Sequence, residues 1–427
     1  MHEHTAEYAR YLDETDPLAS FRHRFWIPQR NGTDVVYFCG NSLGLLPKEV
    51  ESALQRELRV WAEQAVDGHF AEPYPWFSYH RLVTAYLAEL AGALPQEVVA
   101  MNSLSVNLHL LLASFYRPAG RRRKILMEQY PFPSDLYIAQ TQIRWHGLDP
   151  AQDLLFVEPR TGESTLHTED ICARITELGE EVAVVFMSGV HYYTGQYFEL
   201  EPITKAAHSV GAAVVFDLAH AIGNVELRLH HWGVDGAAWC SYKYLNSGPG
   251  GVGGIFVHEL HGSNPELVRF GGWWGTPPEV RFHLLPEFRP AFGAEGWQLS
   301  NAPVLPLAVH RVALQLFHEA GFDMLCRKRD MLVSYARSWV EHVCQRFPRA
   351  PIRIITPEKP LQHGCQLSLW VEQDGEKLYE RLRQADIVLD WRQPNVIRLA
   401  PVPLYNSFMD VHRFGEHLYE AAQDLWG

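Results

Sequence analysis

Between about residues 90 and 260 the chain alternates short, nearly all-apolar runs with amphipathic stretches. The runs are KILME (124–128), DLLFVE (153–158), VAVVFM (182–187), AAVVFD (212–217), GAAWCS (236–241) and GGIFVH (253–258). A strand wetted on one face alternates apolar and polar side chains. A continuously apolar strand is covered on both faces, as in a mainly parallel sheet flanked by helices. Between the runs, TEDICARITELG (168–179) and EPITKAAHSVG (201–211) carry helical spacing, and the second ends on a glycine suited to a C-cap. The alternation predicts a wound α/β domain, whose ligands bind beyond the carboxyl ends of the strands.

After Pro306 the pattern changes. Two long helical segments, 307–321 and 324–347, precede shorter strand candidates PIRIIT (351–356), GCQLSLWV (364–371) and VIRLAP (396–401). The division expected is an N-terminal segment, 1–40, packing with the small domain, a large domain at 41–310, and a smaller α+β domain at 311–427. No internal repeat or low-complexity tract interrupts it.

Composition narrows the function. The 427 residues carry a formal net charge of −13, which argues against a nucleic-acid partner, since a phosphate backbone demands a clustered basic face. The basic run RRRK (121–124) leads directly into a strand and reads as a solvated turn. Six well-spaced cysteines without a CxxC pair suggest reduced thiols. The polar N-terminus lacks a signal core and no apolar run reaches membrane-span length, so a cytoplasmic protein with no membrane partner is expected.

The stretch WCSYKYLNSGPGGVGG (239–254) holds a lysine, Lys243, between two tyrosines just after an apolar run. A desolvated lysine amine loses its proton more easily, which suits Schiff-base chemistry; an ion pair is the alternative role. Asp217 ends the run AAVVFD, with His220 three residues on. Alone, Asp217 also suits an N-cap. A strand-end acid followed by a strand-end lysine is, however, the arrangement of pyridoxal 5′-phosphate (PLP) enzymes of the aminotransferase fold, where the acid keeps the pyridine nitrogen protonated. Ser103 and Ser105, before an apolar helix, offer a seat for a phosphate at a helix start. The glycine loop does not fit GxxxxGK[ST], HELH (258–261) is not HExxH, and GxSxG is absent, so neither a nucleotide loop nor a metal site nor a serine nucleophile is predicted.

Seven segments resemble the kynureninase family in order along nearly the whole chain. They are YFCGNSLGLLPK (37–48), MNSLSVNLHLLLASFY (101–116), FPSD (132–135), SGVHYYTGQ (188–196), FDLAHAIGNVEL (216–227), WCSYKYLNSGPGG (239–251) and APVPLYNSF (400–408). The resemblance implies a homodimeric PLP hydrolase of the aminotransferase fold. Such an enzyme cleaves the Cβ–Cγ bond of L-kynurenine or its 3-hydroxy form in tryptophan breakdown or NAD synthesis. It implies catalytic roles for Lys243, Tyr242 and Asp217. Phe132, Pro133, Ser134, Asp135 and His220 would surround the cofactor ring. Leu104, Ser105, Ser188, Tyr242, Trp273 and Asn301 would complete the cofactor site, with Trp273 and Asn301 from the partner subunit. Arg398 would clamp the substrate α-carboxylate. His69, Ser300 and Asn301 match relatives that favour the 3-hydroxy substrate, whereas Trp274 and Thr276 depart from them, so both substrates stay open. The alternative is another PLP enzyme of this fold, such as a cysteine desulfurase with Cys365 as nucleophile.

Overall fold

The computed structural model describes residues 3–283 and 285–427. All six apolar runs become strands of one seven-stranded sheet: KILME in full, VAVVFM with one residue added, and the other four trimmed by a residue or two. The strands are β1 (Val98–Ala100), β2 (Lys124–Glu128), β3 (Leu154–Val157), β4 (Val182–Ser188), β5 (Ala213–Asp217), β6 (Gly236–Trp239) and β7 (Gly254–Val257). Their spatial order is β1-β7-β6-β5-β4-β2-β3. The core pairs are parallel. β7 runs antiparallel to both β6 and β1, because the segment joining it to β6 holds no crossover helix. At three residues, β1 is too short for its periodicity to stand out in the sequence.

Both faces of the sheet are dry, as the continuous apolar runs require. Along β5, Val214 and Phe216 enter one apolar cluster and Val215 the other. Helices Leu104–Phe115 and Pro133–Trp145 cover the Val215 face through Leu108, Leu111, Ile138 and Ile143. Helices Thr168–Leu178, Leu200–Ser209 and Val304–Ala320 cover the opposite face through Ile171, Ile175, Ile203, Leu307 and Leu314.

A second core is built on strands β8 (Ile352–Ile354), β9 (Leu367–Val371), β10 (Asp390–Arg392) and β11 (Val396–Leu399), ordered β8-β9-β11-β10 and antiparallel throughout. Within the helix Phe322–Arg346, Leu325 belongs to the first core and Leu332 to the second. The N-terminal segment contributes Ala9, Val36 and Phe38 to the second core, and Val36–Tyr37 pairs in parallel with Ile387–Val388. The Asp13 carboxylate caps the last helix, Phe408–Trp426, by accepting from the Phe408 and Met409 amides at 2.6 and 3.0 Å. Among the described residues no helix is long and apolar enough to cross a membrane.

Candidate active site

The carboxyl ends of β4, β5 and β6 converge beside β2 on a cavity of about 320 Å³. In register, Asp217 lies beside Ser188 on β4 and Ala238 on β6. The loop after β6 turns at Asn246 (φ +53°), whose amide donates to the Lys243 carbonyl at 3.1 Å. The GNSL loop near the N-terminus braces it: the Gly44 amide donates to the Tyr242 carbonyl at 2.8 Å, and any side chain at Gly44 would collide with the Lys243 carbonyl. Lys243 is held with its ammonium 5.7 Å from the centre of the Phe132 ring. Among the described residues it makes no side-chain hydrogen bond or ion pair.

Of the residues expected from the sequence, Leu104, Ser105, Phe132, Ser134, Asp135, Ser188, Asp217, His220, Tyr242, Lys243 and Arg398 line this one cavity. Pro133 does not line it and takes the first position of the helix Pro133–Trp145, between the lining residues Phe132 and Ser134. That helix and Leu104–Phe115 both begin here without a side-chain cap; in the former Pro133 has no N–H and the Asp135 and Leu136 amides donate to the Phe132 carbonyl, which leaves the Ser134 amide. Ser105 Oγ and Ser134 Oγ, one from each helix start, share a 2.8 Å hydrogen bond.

The floor of the cavity concentrates acid. Asp217, Asp135 and Glu128 are each 5 % exposed or less. Burial raises all three carboxyls above their ordinary range, Glu128 to about 7, and Asp217 raises Asp135 further. Lys243 opposes the rise at Asp217, whose carboxylate also accepts from the Ala219 amide at 2.7 Å. Glu128 accepts from the Ser188 amide and hydroxyl at 3.1 and 2.6 Å. Burial, aided by the charge of Lys243, holds His220 neutral, well below its usual range. Oδ1 of Asp135 and Nδ1 of His220 are buried without a hydrogen-bond partner among the described residues.

Arg398 enters from β11, 1 % exposed. It donates from Nε to Asp390 at 2.6 Å, from Nη2 to the same carboxylate, and from Nη1 to the Tyr192 carbonyl at 2.6 Å, and burial lowers it to about 10. Asp390 also accepts from Arg392 Nε at 3.0 Å, so one carboxylate steadies two cavity-lining arginines.

His69, Trp273, Ser300 and Asn301 lie outside the cavity. Rings link the first two: His69 meets Phe70 at 6.5 Å, Phe70 meets Phe77 at 5.8 Å, Phe77 meets the buried Trp274 at 5.2 Å, and Trp274 meets Trp273 at 5.5 Å. The segment ending at Ser300 and Asn301 packs beside them, with the Leu299 carbonyl accepting from the Trp274 amide at 3.5 Å. Trp273 is 54 % exposed, and Ser300 and Asn301 are exposed too.

Sequence reasoning passed over Asn41, Ser42, Tyr192 and Arg392, which also line the cavity, and Glu128 beneath it. Glu128 ends β2 as Asp217 ends β5, so its signal was present in KILME. His258 of HELH meets His230 and Glu97, with ligand atoms within 4.8 Å of one another. Glu97 there already accepts from the Leu94 and Glu259 amides, each at 2.8 Å, and is 3.0 Å from His230 Nδ1.

The aminotransferase class-V family profile matches residues 37–280, and the kynureninase C-terminal domain matches residues 326–418. A kynureninase of Flavobacterium johnsoniae is 46 % identical over 416 residues, covering 97 % of this chain and 98 % of that one. The chain belongs to the kynureninase family. Among solved structures it is similar in fold to the apo cysteine desulfurase of Thermococcus onnurineus NA1, with a TM-score of 0.72 at 20 % identity over 97 % of this chain and 98 % of that one. A C-DES variant with glycine covalently linked to its PLP cofactor gives a TM-score of 0.74 at 18 % identity over 95 % and 99 %.

Kynureninase family membership overturns the desulfurase alternative, and the cysteine it needed is misplaced. Cys365 is 1 % exposed and does not line the cavity, its amide donates to Asn224 Oδ1 at 2.8 Å, and burial pushes its thiol upward. PLP fits the site. Unpartnered Asp135 Oδ1 and His220 Nδ1 await a polar ring, two uncapped helix starts await an anion, and Lys243 is free to bond an aldehyde.

Proposed function

We propose that the protein is a PLP-dependent kynureninase, hydrolysing the Cβ–Cγ bond of L-kynurenine or 3-hydroxy-L-kynurenine to L-alanine and anthranilate or 3-hydroxyanthranilate. The observation that carries this reading is the convergence of Lys243, Asp217 and Arg398 on one cavity. Bound PLP supplies an electron sink for negative charge developing on the substrate carbons. Asp217 would pair with the ring nitrogen and keep it protonated, Asp135 and His220 would complete its surroundings, and Phe132 would lie against the ring. Ser105, Ser134 and the first amides of the helix Leu104–Phe115 would hold the phosphate, joined by Tyr242.

Arg398 holds the substrate α-carboxylate with the part of its fork that faces the cavity. The Lys243 amine would remove the Cα proton as general base, a role worth about 10²–10⁴-fold in rate. Tyr242, kept protonated because burial pushes its phenol up, donates toward the γ-carbonyl or Cβ. Across the reaction one water is consumed: its hydroxyl goes to the γ-carbon and a proton to Cβ.

The exposed aromatic cluster around His69 and Trp273 supports a homodimer in which His69, Trp273, Ser300 and Asn301 complete the partner's site. Such a dimer puts polar groups at the aromatic end of the substrate, where a hydrogen bond to a ring hydroxyl discriminates well. A cytoplasmic setting suits the six free cysteines. The reading is tested by adding PLP and L-kynurenine to the protein and following anthranilate fluorescence and alanine. Release of both supports it; a protein that binds PLP yet releases neither product from either kynurenine refutes it.

A further inference from the structure

Asn41 lines the cavity and is 1 % exposed. The sense of its amide is set by a chain of bonds that allows one orientation. The Tyr192 carbonyl can only accept, and Gln366 Nε2 donates to it at 2.8 Å. Gln366 Oε1 is thereby turned to Asn41, whose Nδ2 donates to it at 3.0 Å. Asn41 Oδ1 is left buried, with no hydrogen-bond partner among the described residues. An orphaned amide oxygen in a buried site costs stability unless a ligand donates to it.

The position of this oxygen narrows the donor. The Tyr192 carbonyl that orients Gln366 also accepts from Arg398, so one backbone oxygen sets both the acceptor and the carboxylate clamp. On its other side, the loop of Asn41 is tied by Gly44 to the Tyr242 carbonyl, next to Lys243. A carboxylate would be repelled by an amide oxygen, so the group that meets Asn41 must carry hydrogen. In an amino acid held by its carboxylate at Arg398, the donor one carbon away is the α-ammonium.

We propose that Asn41 Oδ1 accepts a hydrogen bond from the α-ammonium of the incoming substrate, an inference that rests on the reading given under Proposed function. Asn41 and Arg398 then form a two-point reader for an amino-acid head group, which delivers the amine toward Lys243. Carboxylic acids of the same shape but lacking the amine gain nothing from Asn41.

The test uses the PLP-loaded enzyme and two ligands that differ only in the amine, 2-amino-4-phenylbutanoate and 4-phenylbutanoate, titrated by calorimetry. Neither has a γ-carbonyl to be attacked. Asn41→Leu is expected to weaken the amino ligand about tenfold or more, the loss of one hydrogen bond to a charged group. The ligand without the amine should change less than twofold. Asn41→Ala, which demands less of the packing, should give the same split if the leucine variant does not fold. Equal weakening of both ligands, or of neither, overturns the inference. If the wild-type enzyme releases anthranilate and the split is absent, the inference fails alone; if it releases no product from either kynurenine, the functional reading fails first.

Discussion

Replacing Arg398 with lysine keeps the positive charge and removes the planar fork. Arg398 spends Nε and Nη2 on Asp390 and Nη1 on the Tyr192 carbonyl, and is 1 % exposed, so its direction is fully determined before a substrate arrives and only its remaining Nη hydrogens are left for a carboxylate. A lysine ammonium has no planar pair of donors and must leave either the protein partners or the substrate carboxylate short of one bond. A hydrogen bond to a charged group is worth about 1.5–3 kcal/mol, which makes the expected rise in KM roughly 10- to 150-fold. The folding cost is smaller, about 1–2 kcal/mol, because the groups left behind keep other donors. Asp390 retains Arg392 at 3.0 Å and the Tyr192 carbonyl retains Gln366 at 2.8 Å. Steady-state rates by anthranilate fluorescence, alongside urea unfolding, separate the two effects. A KM within twofold of wild type would refute the clamp, and a KM change fully tracking lost stability would reduce Arg398 to a packing role.

Tyr242→Phe should slow turnover by 10-fold or more while the protein retains PLP, read by absorbance after dialysis; unchanged turnover removes the phenol from proton transfer. Burial lifts the Glu128 carboxyl from 4.5 to about 7, so the unfolded chain ionises there first and wild-type stability is lost as pH rises across that interval. Glu128→Gln should therefore match wild type near pH 4.5 and exceed it by about 3 kcal/mol above pH 7 in urea unfolding; a pH-independent difference contradicts this. Mixing inactive Lys243→Ala with inactive Asn301→Ala should restore up to roughly a quarter of wild-type activity through hybrid dimers, and no recovery after subunit exchange argues against a shared site.

The sheet was legible because its strands are dry on both faces, which leaves long apolar runs without polar alternation. The strand-end acid and lysine were legible for a related reason: Asp217 and Lys243 interrupt or follow apolar runs where a charge has no packing role. The direction of β7 was hidden, since the loop between β6 and β7 carries glycines but no sign of where it leads. Arg398 stood out between apolar neighbours, yet its partner Asp390 lies on a three-residue strand with no periodic signature. Asn41 is legible only in space, because its role depends on Gln366 and Tyr192, far away in the chain. His69, Trp273, Ser300 and Asn301 came from family resemblance alone, and their grouping on an exposed aromatic surface is a tertiary fact.

The account turns on one covalent contact. Borohydride reduction of the PLP-loaded protein, followed by proteolysis and mass spectrometry, should fix the pyridoxyl phosphate mass on the peptide containing Lys243, and Lys243→Ala should lose both the label and turnover. A label on another lysine, or full turnover by Lys243→Ala, would contradict it.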